Sequence, residues 1–118
     1  MSRSDRVRQR IDDMNARDFV AAGKDFADNV RFHAPGLGLD VEGRDTVQRH
    51  ISDFVQQADV RYDVEDVVEH GPFAVAFTRS TGTLDGQRVT WELCQVLRYE
   101  GEQVAEAWVL RGGAPQPI

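Results

Sequence analysis

Residues 60–111 read VRYDVEDVVEHGPFAVAFTRSTGTLDGQRVTWELCQVLRYEGEQVAEAWVLR and contain four apolar stretches separated by short turns. Large apolar and polar side chains alternate within each stretch, which is typical of β-strands. The predicted strands are Val60–Glu69, Phe73–Thr83, Arg88–Tyr99 and Gln103–Arg111. The turns between them are too short for a crossover, so consecutive strands are expected to pair antiparallel.

Two helices and a strand are predicted before this meander, and a third helix follows that strand. The first helix is expected to be capped by Ser4, and the third by Asp45 of Gly43-Arg44-Asp45. The apolar positions are Val7, Ile11 and Met14 on the first helix, Phe19, Val20, Ala22 and Phe26 on the second, Val30, Phe32 and Ala34 on the strand, and Val47, Ile51, Phe54 and Val55 on the third helix. Helices followed by a meander predict an α+β fold, with helices packed on one face of a curved, mostly antiparallel sheet.

Length and charge limit the classes of function. The 118 residues suit one domain, 1–118, whose tail, residues 112–118, is expected to fray. A net charge of −6 argues against nucleic acid and anionic membrane as partners. The single cysteine, Cys94, excludes an intrachain disulfide, and the N-terminal residues lack the apolar run of a signal peptide, so the expected location is cytoplasmic.

The strand register follows from taking the bulky phase of each strand as its inner face. That choice needs a three-residue turn, Leu84-Asp85-Gly86, which pairs Phe77 with Leu93. A two-residue Asp85-Gly86 turn would pair Phe77 with Cys94 and mix the faces. A similar three-residue turn, Tyr99-Glu100-Gly101, pairs Leu93 with Ala107, and a two-residue His70-Gly71 turn pairs Val64 with Phe77. This register places Arg79 at one end of the inner face and Asp66 with Gln95 at the other, around space left by the small side chains of the last strand.

The opposite face of the sheet is too apolar for contact with water alone. We therefore expect a homodimer through this face, formed by Ala74, Ala76, Cys94, Val96, Val104, Trp108 and Leu110.

The segment Phe26–Gly36, FADNVRFHAPG, followed by the helix opening at Gly43–Asp45, resembles the nuclear transport factor 2-like superfamily and, within it, the SnoaL-like (polyketide cyclase-like) group. Residues Leu97–Trp108 resemble the closing hairpin of that group. The resemblance covers nearly the whole chain and implies a cone, in which helices close over a curved sheet and enclose an apolar cavity. This fold hosts isomerases, cyclases, epoxide hydrolases, dehydratases and non-catalytic binding proteins.

The catalytic carboxylates known from these groups have no counterpart at the matching positions. Ketosteroid isomerases of the superfamily use an aspartate as general base, and Ala34 stands at the matching position. They also use a tyrosine on the first helix, for which Arg10 is the nearest match, and a protonated aspartate, which Gln95 replaces. SnoaL-like cyclases and limonene-epoxide-hydrolase-like enzymes have an aspartate at the position of Val109. The Arg-x-Asp of the epoxide hydrolases matches Arg79–Thr81, which keeps only the arginine.

Three side chains are candidate catalytic groups: His33, Asp66 and Arg79. Arg79 either clamps a ligand oxygen or lies at the mouth of the cone with its charge in solvent. Asp66 either acts as an acid or base in a dry cavity or turns to solvent at a bulge. His33 suits proton transfer, but strict alternation puts it in phase with Arg31, so only a bulge before Pro35 turns it inward.

The candidate ligand-binding residues are Arg10, Phe32, Phe54, Tyr62, Phe77, Trp91, Gln95 and Val109. Arg10 borders the apolar stripe of the first helix and could also be an exposed helix arginine. Gln95 could also be a satisfied core amide. His50 and His70 are expected at the surface, and no metal or cofactor is predicted.

Two hypotheses on function follow. The first is a SnoaL-like protein that binds a small apolar molecule, as a cofactor-independent isomerase or cyclase or an epoxide hydrolase-like enzyme acting on a carbonyl or epoxide. The second is a non-catalytic ligand-binding or protein-interaction dimer of the same fold.

Overall fold

The computed structural model describes residues 1–118, and its elements follow the expected order of helices and then strands. They are α1 (Arg3–Asn15), α2 (Phe19–Ala22), β1 (Phe26–Ala34), a 3-10 turn (Pro35–Leu37), β2 (Leu39–Glu42), α3 (Arg44–Gln57), β3 (Arg61–His70), β4 (Phe73–Leu84), β5 (Gln87–Glu100), β6 (Gln103–Arg111) and β7 (Gln116–Pro117). One sheet has the order β2-β1-β6-β5-β4-β3, and β7 pairs with β5. Only β1 and β6 pair in parallel. The predicted α+β fold, with N-terminal helices on a curved, mostly antiparallel sheet, is confirmed.

The first and third helices begin before the residues predicted to cap them. Ser2, rather than Ser4, caps α1, because its hydroxyl accepts a hydrogen bond from Asp5 N at 3.1 Å. The Asp5 carboxylate accepts one from Ser2 N in return, which completes a capping box. The third helix starts after Gly43, which has a φ of 98° and no side-chain cap. Asp45 therefore lies in the first turn, where its negative charge interacts favourably with the positive end of the helix dipole.

The core lies between the helices and one face of the sheet. The apolar stripe of α1 is buried as expected, and Val47 and Val55 of α3 are fully buried. Phe26, which was expected on the second helix, begins β1 instead, because α2 ends at Ala22 and Gly23 caps it. None of the helices is long and apolar enough to cross a membrane.

The turn between β4 and β5 sets a register that differs from the predicted one. Asp85 and Gly86 alone form the turn, with φ angles of 52° and 78°. Two consecutive residues with positive φ are typical of the type I′ turn, whose twist suits a two-residue hairpin. Phe77 therefore lies opposite Cys94, and its predicted pairing with Leu93 is wrong.

The neighbouring registers differ from prediction for a related reason. Val64 pairs with Thr78 rather than Phe77, because the turn is Gly71-Pro72, which places His70 opposite Phe73, and β3 then shifts register between Val64 and Asp66. Leu93 pairs with Arg111 rather than Ala107, because the turn is the two-residue Gly101-Glu102, which places Glu100 opposite Gln103, and the β5–β6 pair shifts by one further residue beside it. Neither irregularity has a marked signal in the sequence.

In the observed register, the two faces of β4 are exchanged relative to the prediction. Its small side chains face the helices and are fully buried: Ala74, Ala76, Thr78 and Ser80. Its bulky phase, with Phe77 and Arg79, faces away from the helices, so the prediction of these two as inward-facing is wrong. Helix α1 lies against β3 and β4, and its own large side chains occupy the space that bulky β4 residues would need.

The outer face of the sheet, opposite the helices, therefore has a different membership from the one expected. Ala74, Ala76 and Val104 belong to the buried core, at most 1% exposed, and their assignment to the outer face is wrong. Cross-strand pairing places Phe77, Cys94 and Leu110 in one row on that face. The adjacent row contains Val68, Val75, Val96 and Trp108.

The tail that was expected to fray contains a short strand. Gln116 and Pro117 pair with Thr90 and Val89 of β5. This pairing brings Pro115 to the rim of the cavity described below.

Candidate ligand-binding site

A cavity of about 120 Å³ lies between the helices and the inner face of the sheet. Of its 19 lining residues, 13 are hydrophobic. Seven of the eight predicted ligand-binding residues line it: Arg10, Phe32, Phe54, Tyr62, Trp91, Gln95 and Val109. Alternation correctly placed Phe32 of β1, Trp91 and Gln95 of β5, and Val109 of β6 on the sheet face that lines the cavity.

The exception among the predicted ligand-binding residues is Phe77. It is 45% exposed on the outer face, as the two-residue turn requires. Its assignment to the cavity is wrong.

Several lining residues were not identified from the sequence. The helix stripes contribute Met14, Ile51 and Val55, and the irregular segments contribute Leu37, Leu39 and Leu84. The apolar periodicity of α1 and α3 marks the first group as core, without indicating that space is left beside it. The second group lies in turns and short strands, where periodicity has no predictive value.

Arg10 is the charged group at the interior end of the cavity. It follows Val7 by three residues and precedes Met14 by four, so the turn of the helix carries it into the buried stripe. The residue is only 7% exposed. Its Nη1 donates to Oε1 of Gln95 at 3.0 Å, and its guanidinium carbon lies 5.0 Å from the centroid of the Phe26 ring.

The Arg10 guanidinium has no carboxylate partner, and its Nε is buried without a hydrogen-bond acceptor. Burial lowers the pKa of Arg10, because the interior disfavours its charged form. The nearby carboxylate of Asp25 is already engaged by Arg6, at 2.7 Å. A buried cation with a vacant donor is an anchor for an oxygen of a ligand.

Gln95 owes its position to the uninterrupted alternation of β5. It is 3% exposed and lies opposite Val109 of β6 and Ala76 of β4, whose small side chains leave it free toward the cavity. Its carbonyl oxygen is used by Arg10. The amide NH₂ remains as a donor toward a ligand.

Tyr62 lines the cavity from β3 and is 8% exposed. Burial raises the pKa of Tyr62 to about 12, although the charge of Arg10 acts in the opposite direction. At neutral pH its phenol is therefore protonated and available as a hydrogen-bond donor.

His50 lines the cavity from α3, so the expectation that it is a surface histidine is wrong. It lies one residue before Ile51, and both line the cavity, with His50 half-buried. Arg111, at the end of β6, and Pro115 complete this side of the lining. His70 ends β3 and is exposed, as expected.

His33 lies on the outer face, in phase with Arg31, because no bulge turns it toward the cavity. Its Nε2 lies 2.7 Å from Glu106 and its Nδ1 lies 3.1 Å from Asp40. Its ring stacks on Trp108, with centroids 5.5 Å apart. The hydrogen bond with His33 lowers the pKa of Glu106. Strict alternation therefore holds at His33, and the alternative that made it a catalytic candidate, a bulge turning it toward the cavity, is wrong.

Arg79 and Asp66 also lie outside the cavity. Arg79 forms an ion pair with Glu92, directly across on β5, and its side chain is 50% exposed. Asp66 is exposed beyond the irregularity of β3, where its carboxylate accepts a hydrogen bond from Val67 N at 2.9 Å. Arg79 faces outward with the bulky phase of β4, and Asp66 turns to solvent beside a bulge, which was the alternative to its place in the cavity. The assignment of these two side chains to the cavity is wrong.

The cavity contains no carboxylate. Its ionisable side chains are Arg10, His50, Tyr62 and Arg111. The arrangement can bind an apolar molecule and donate hydrogen bonds to an oxygen atom at the Arg10 end.

Comparison with known proteins agrees with this geometry. Residues 7–107 match the sequence model of a family described as the SnoaL-like domain. No match was found among curated protein sequences.

The fold is shared with solved structures at low sequence identity. A nuclear transport factor 2-like protein of unknown function from Burkholderia pseudomallei is 22% identical, with a TM-score of 0.83 over 94% of this chain and 92% of the other. A proposed ketosteroid isomerase from Kribbella flavida is 20% identical, with a TM-score of 0.74 over 98% and 81%. A proposed polyketide cyclase from Sinorhizobium meliloti is 18% identical, with a TM-score of 0.77 over 90% and 94%.

Proposed function

Because the chain belongs to the SnoaL-like domain family, we propose that it binds a small, largely apolar molecule inside its cavity. The ligand presents an oxygen atom to Arg10 and Gln95. The observation that carries this proposal is a predominantly apolar cavity whose lining includes the buried hydrogen-bond donors Arg10 and Gln95. Apolar walls with a few convergent polar groups are the usual composition of a small-molecule site.

The apolar walls supply affinity and the polar end supplies orientation. Phe32, Phe54 and Trp91 offer ring faces and edges to a hydrocarbon, whose transfer from water is favourable in proportion to its area. A buried donor without an acceptor gains most from a ligand that brings one.

Filling the cavity tests this proposal. Ile51 lines it, so Ile51→Trp should occupy the ligand volume and abolish the binding of small aryl-alkyl ketones and terpenoid epoxides, measured by isothermal titration calorimetry. Val20→Trp is the matched control, since Val20 is 82% exposed and lies outside the cavity. Equal affinity in the wild-type protein and in a folded Ile51→Trp variant would show that the ligand binds elsewhere.

A second candidate function is catalysis on such a ligand, as a cofactor-independent isomerase, cyclase or epoxide hydrolase-like enzyme. The observation that favours it is the position of His50 on the cavity wall, since imidazole is the side chain best suited to proton transfer near neutral pH. Arg10 and Gln95 would stabilise the negative charge that develops on a carbonyl or epoxide oxygen.

Turnover distinguishes this candidate from a non-catalytic binding protein. His50→Gln should lower kcat by about 100-fold or more on any substrate turned over by the wild-type protein. The control is His70→Gln, because His70 is exposed at the end of β3. Tight binding of the ketone and epoxide panel without turnover by the wild-type protein would assign the chain to the binding class.

We further propose that a second copy of the chain covers the outer face of the sheet. Support comes from Phe77, Val68 and Leu110, which are 45%, 45% and 43% exposed, and from the apolar rows that connect them. Phe77→Lys should convert a dimer to a monomer in size-exclusion chromatography with light scattering, whereas Val20→Lys should not. A wild-type monomer at high concentration would contradict this assembly.

A further inference from the structure

Charge is distributed unevenly between the surface of this protein and its cavity. The chain has 20 acidic and 14 basic residues, for a net charge of −6. None of the acidic residues lines the cavity, whereas Arg10 and Arg111 do. An acidic protein thus surrounds a cavity whose only fixed charges are positive.

The structure leaves the charge at the inner end uncompensated. Arg10 is more than nine-tenths buried, has no ion pair, and uses one N–H on the neutral oxygen of Gln95. The acid that influences it, Asp25, is held by Arg6. A desolvated guanidinium without a counter-ion is unfavourable, and proteins ordinarily pair it with an acid or replace it with an apolar side chain.

The contacts of Arg10 hold it ready for a partner. The Phe26 ring, 5.0 Å from the guanidinium carbon, and the hydrogen bond to Gln95 hold the guanidinium in place. Gln95 is thus a positioning residue as well as a donor. Apart from the bond to Gln95, the N–H groups of the Arg10 guanidinium have no acceptor, and these donors and the amide NH₂ of Gln95 are left to meet two oxygens of one ligand group.

We propose, on the basis of the ligand-binding function proposed above, that the ligand is an organic anion: a small apolar carboxylic acid whose carboxylate pairs with Arg10 while its hydrocarbon part contacts Phe32, Phe54 and Trp91. The ligand supplies the counter-ion that the fold omits. Its entry is favoured by Arg111, the second cation of the lining. Burial at present lowers the pKa of Arg10, and a bound carboxylate opposes that effect.

A pair of ligands of similar shape and different charge tests this inference. Hydrocinnamate carries a carboxylate, and benzylacetone has a neutral methyl ketone on the same phenylethyl group. By calorimetry at neutral pH, the wild-type protein should bind hydrocinnamate at least about ten-fold more tightly than benzylacetone, as expected for a charge-assisted pair in a buried site. Arg79→Gln, on the outer face, should leave this ratio unchanged.

Two substitutions should remove the preference by different routes. Arg10→Met deletes the cation and should bring the affinity ratio to about one, because it weakens the binding of hydrocinnamate far more than that of benzylacetone. Gln95→Glu keeps the cation but provides an internal carboxylate about where Gln95 Oε1 lies, 3.0 Å from Arg10 Nη1, and should also exclude the anion. Circular dichroism verifies folding, and Gln95→Glu keeps the test decisive if Arg10→Met does not fold.

The outcomes separate this inference from the broader one. Equal wild-type affinity for the two ligands, or an anion preference that persists in both variants, would overturn the anionic ligand and leave the apolar cavity site intact. Binding of neither ligand, together with no binding of the ketone and epoxide panel, would overturn both.

Discussion

Arg10 lies three residues after Val7 on α1, between positions that carry the buried apolar stripe. From the sequence, this position predicts a residue at the border of the stripe, and a long arginine at such a border can extend into water or into a cavity. The choice depends on what covers the helix, which is determined by residues far away in the chain. By contrast, the inward direction of Gln95 follows from the unbroken alternation of large apolar residues on β5 and was predicted correctly.

Tyr62 provides a prediction at the scale of one residue. Burial raises the pKa of Tyr62 to about 12, and burial also raises the pKa of Tyr99, the other tyrosine of the chain. Since the ordinary value is about 10, both phenols hold their protons more tightly in the folded state than in the unfolded state. The stability that they contribute is complete below pH about 10 and is lost as pH rises through the folded pKa values.

We therefore expect the free energy of unfolding, measured by urea denaturation, to fall as pH rises from about 10 to about 12, and Tyr62→Phe to reduce this fall. Phenolate absorbance measures the same event in the folded protein. If both tyrosines ionised near pH 10 before unfolding, the burial described for Tyr62 would be wrong.

The hairpin of β4 and β5 shows which local signal decides a register. The order and approximate bounds of the four long strands were predicted correctly from alternation and turn residues. The register was not, because the bulky phase of β4 was taken as the inner one, against the preference of Asp85-Gly86 for a two-residue turn. Large apolar side chains identify the inner face of a strand only when the other face of the sheet is exposed to water. Here both faces of the sheet are apolar.

A glycine comparison tests the importance of this turn. Gly86 has a φ of 78°, and a methyl group there would meet nothing within 4 Å, so Gly86→Ala should destabilise through backbone strain alone. We expect a loss of about 1 kcal/mol in the free energy of unfolding, measured by urea denaturation. Gly36→Ala is the control, since Gly36 also has open space but no positive φ, and should change stability by less than about 0.5 kcal/mol. Similar effects of the two substitutions would argue against strain at the turn.

For the whole molecule, the element order was sufficient to predict the α+β fold. The two-residue strand β7, the short strand β2 and the parallel pairing of β1 with β6 were not predicted. Short edge strands leave too few residues for a periodic pattern. Parallel pairing of the first and last long strands joins segments separated by most of the chain, so no local turn signals it.

A single core makes the whole fold depend on the contact between α1 and the sheet. Ile11 is 1% exposed, so Ile11→Ala should lower the free energy of unfolding by about 2–5 kcal/mol, a large part of the 5–15 kcal/mol typical of a domain. The loss should appear as one cooperative transition in thermal denaturation. Val20→Ala, at a position 82% exposed, should change stability by less than about 0.5 kcal/mol. A small effect of Ile11→Ala would show that α1 is dispensable for the core.

The two tryptophans of the chain lie on opposite sides of the sheet, Trp91 in the cavity lining and Trp108 against the ring of His33 on the outer face. Each indole is therefore a natural fluorophore for a different event. With Trp108 replaced by phenylalanine, emission follows occupancy of the cavity through Trp91. With Trp91 replaced, emission of Trp108 follows the approach of another molecule to the outer face of the sheet. The protein thus carries two optical reporters that separate ligand uptake from association without any added dye.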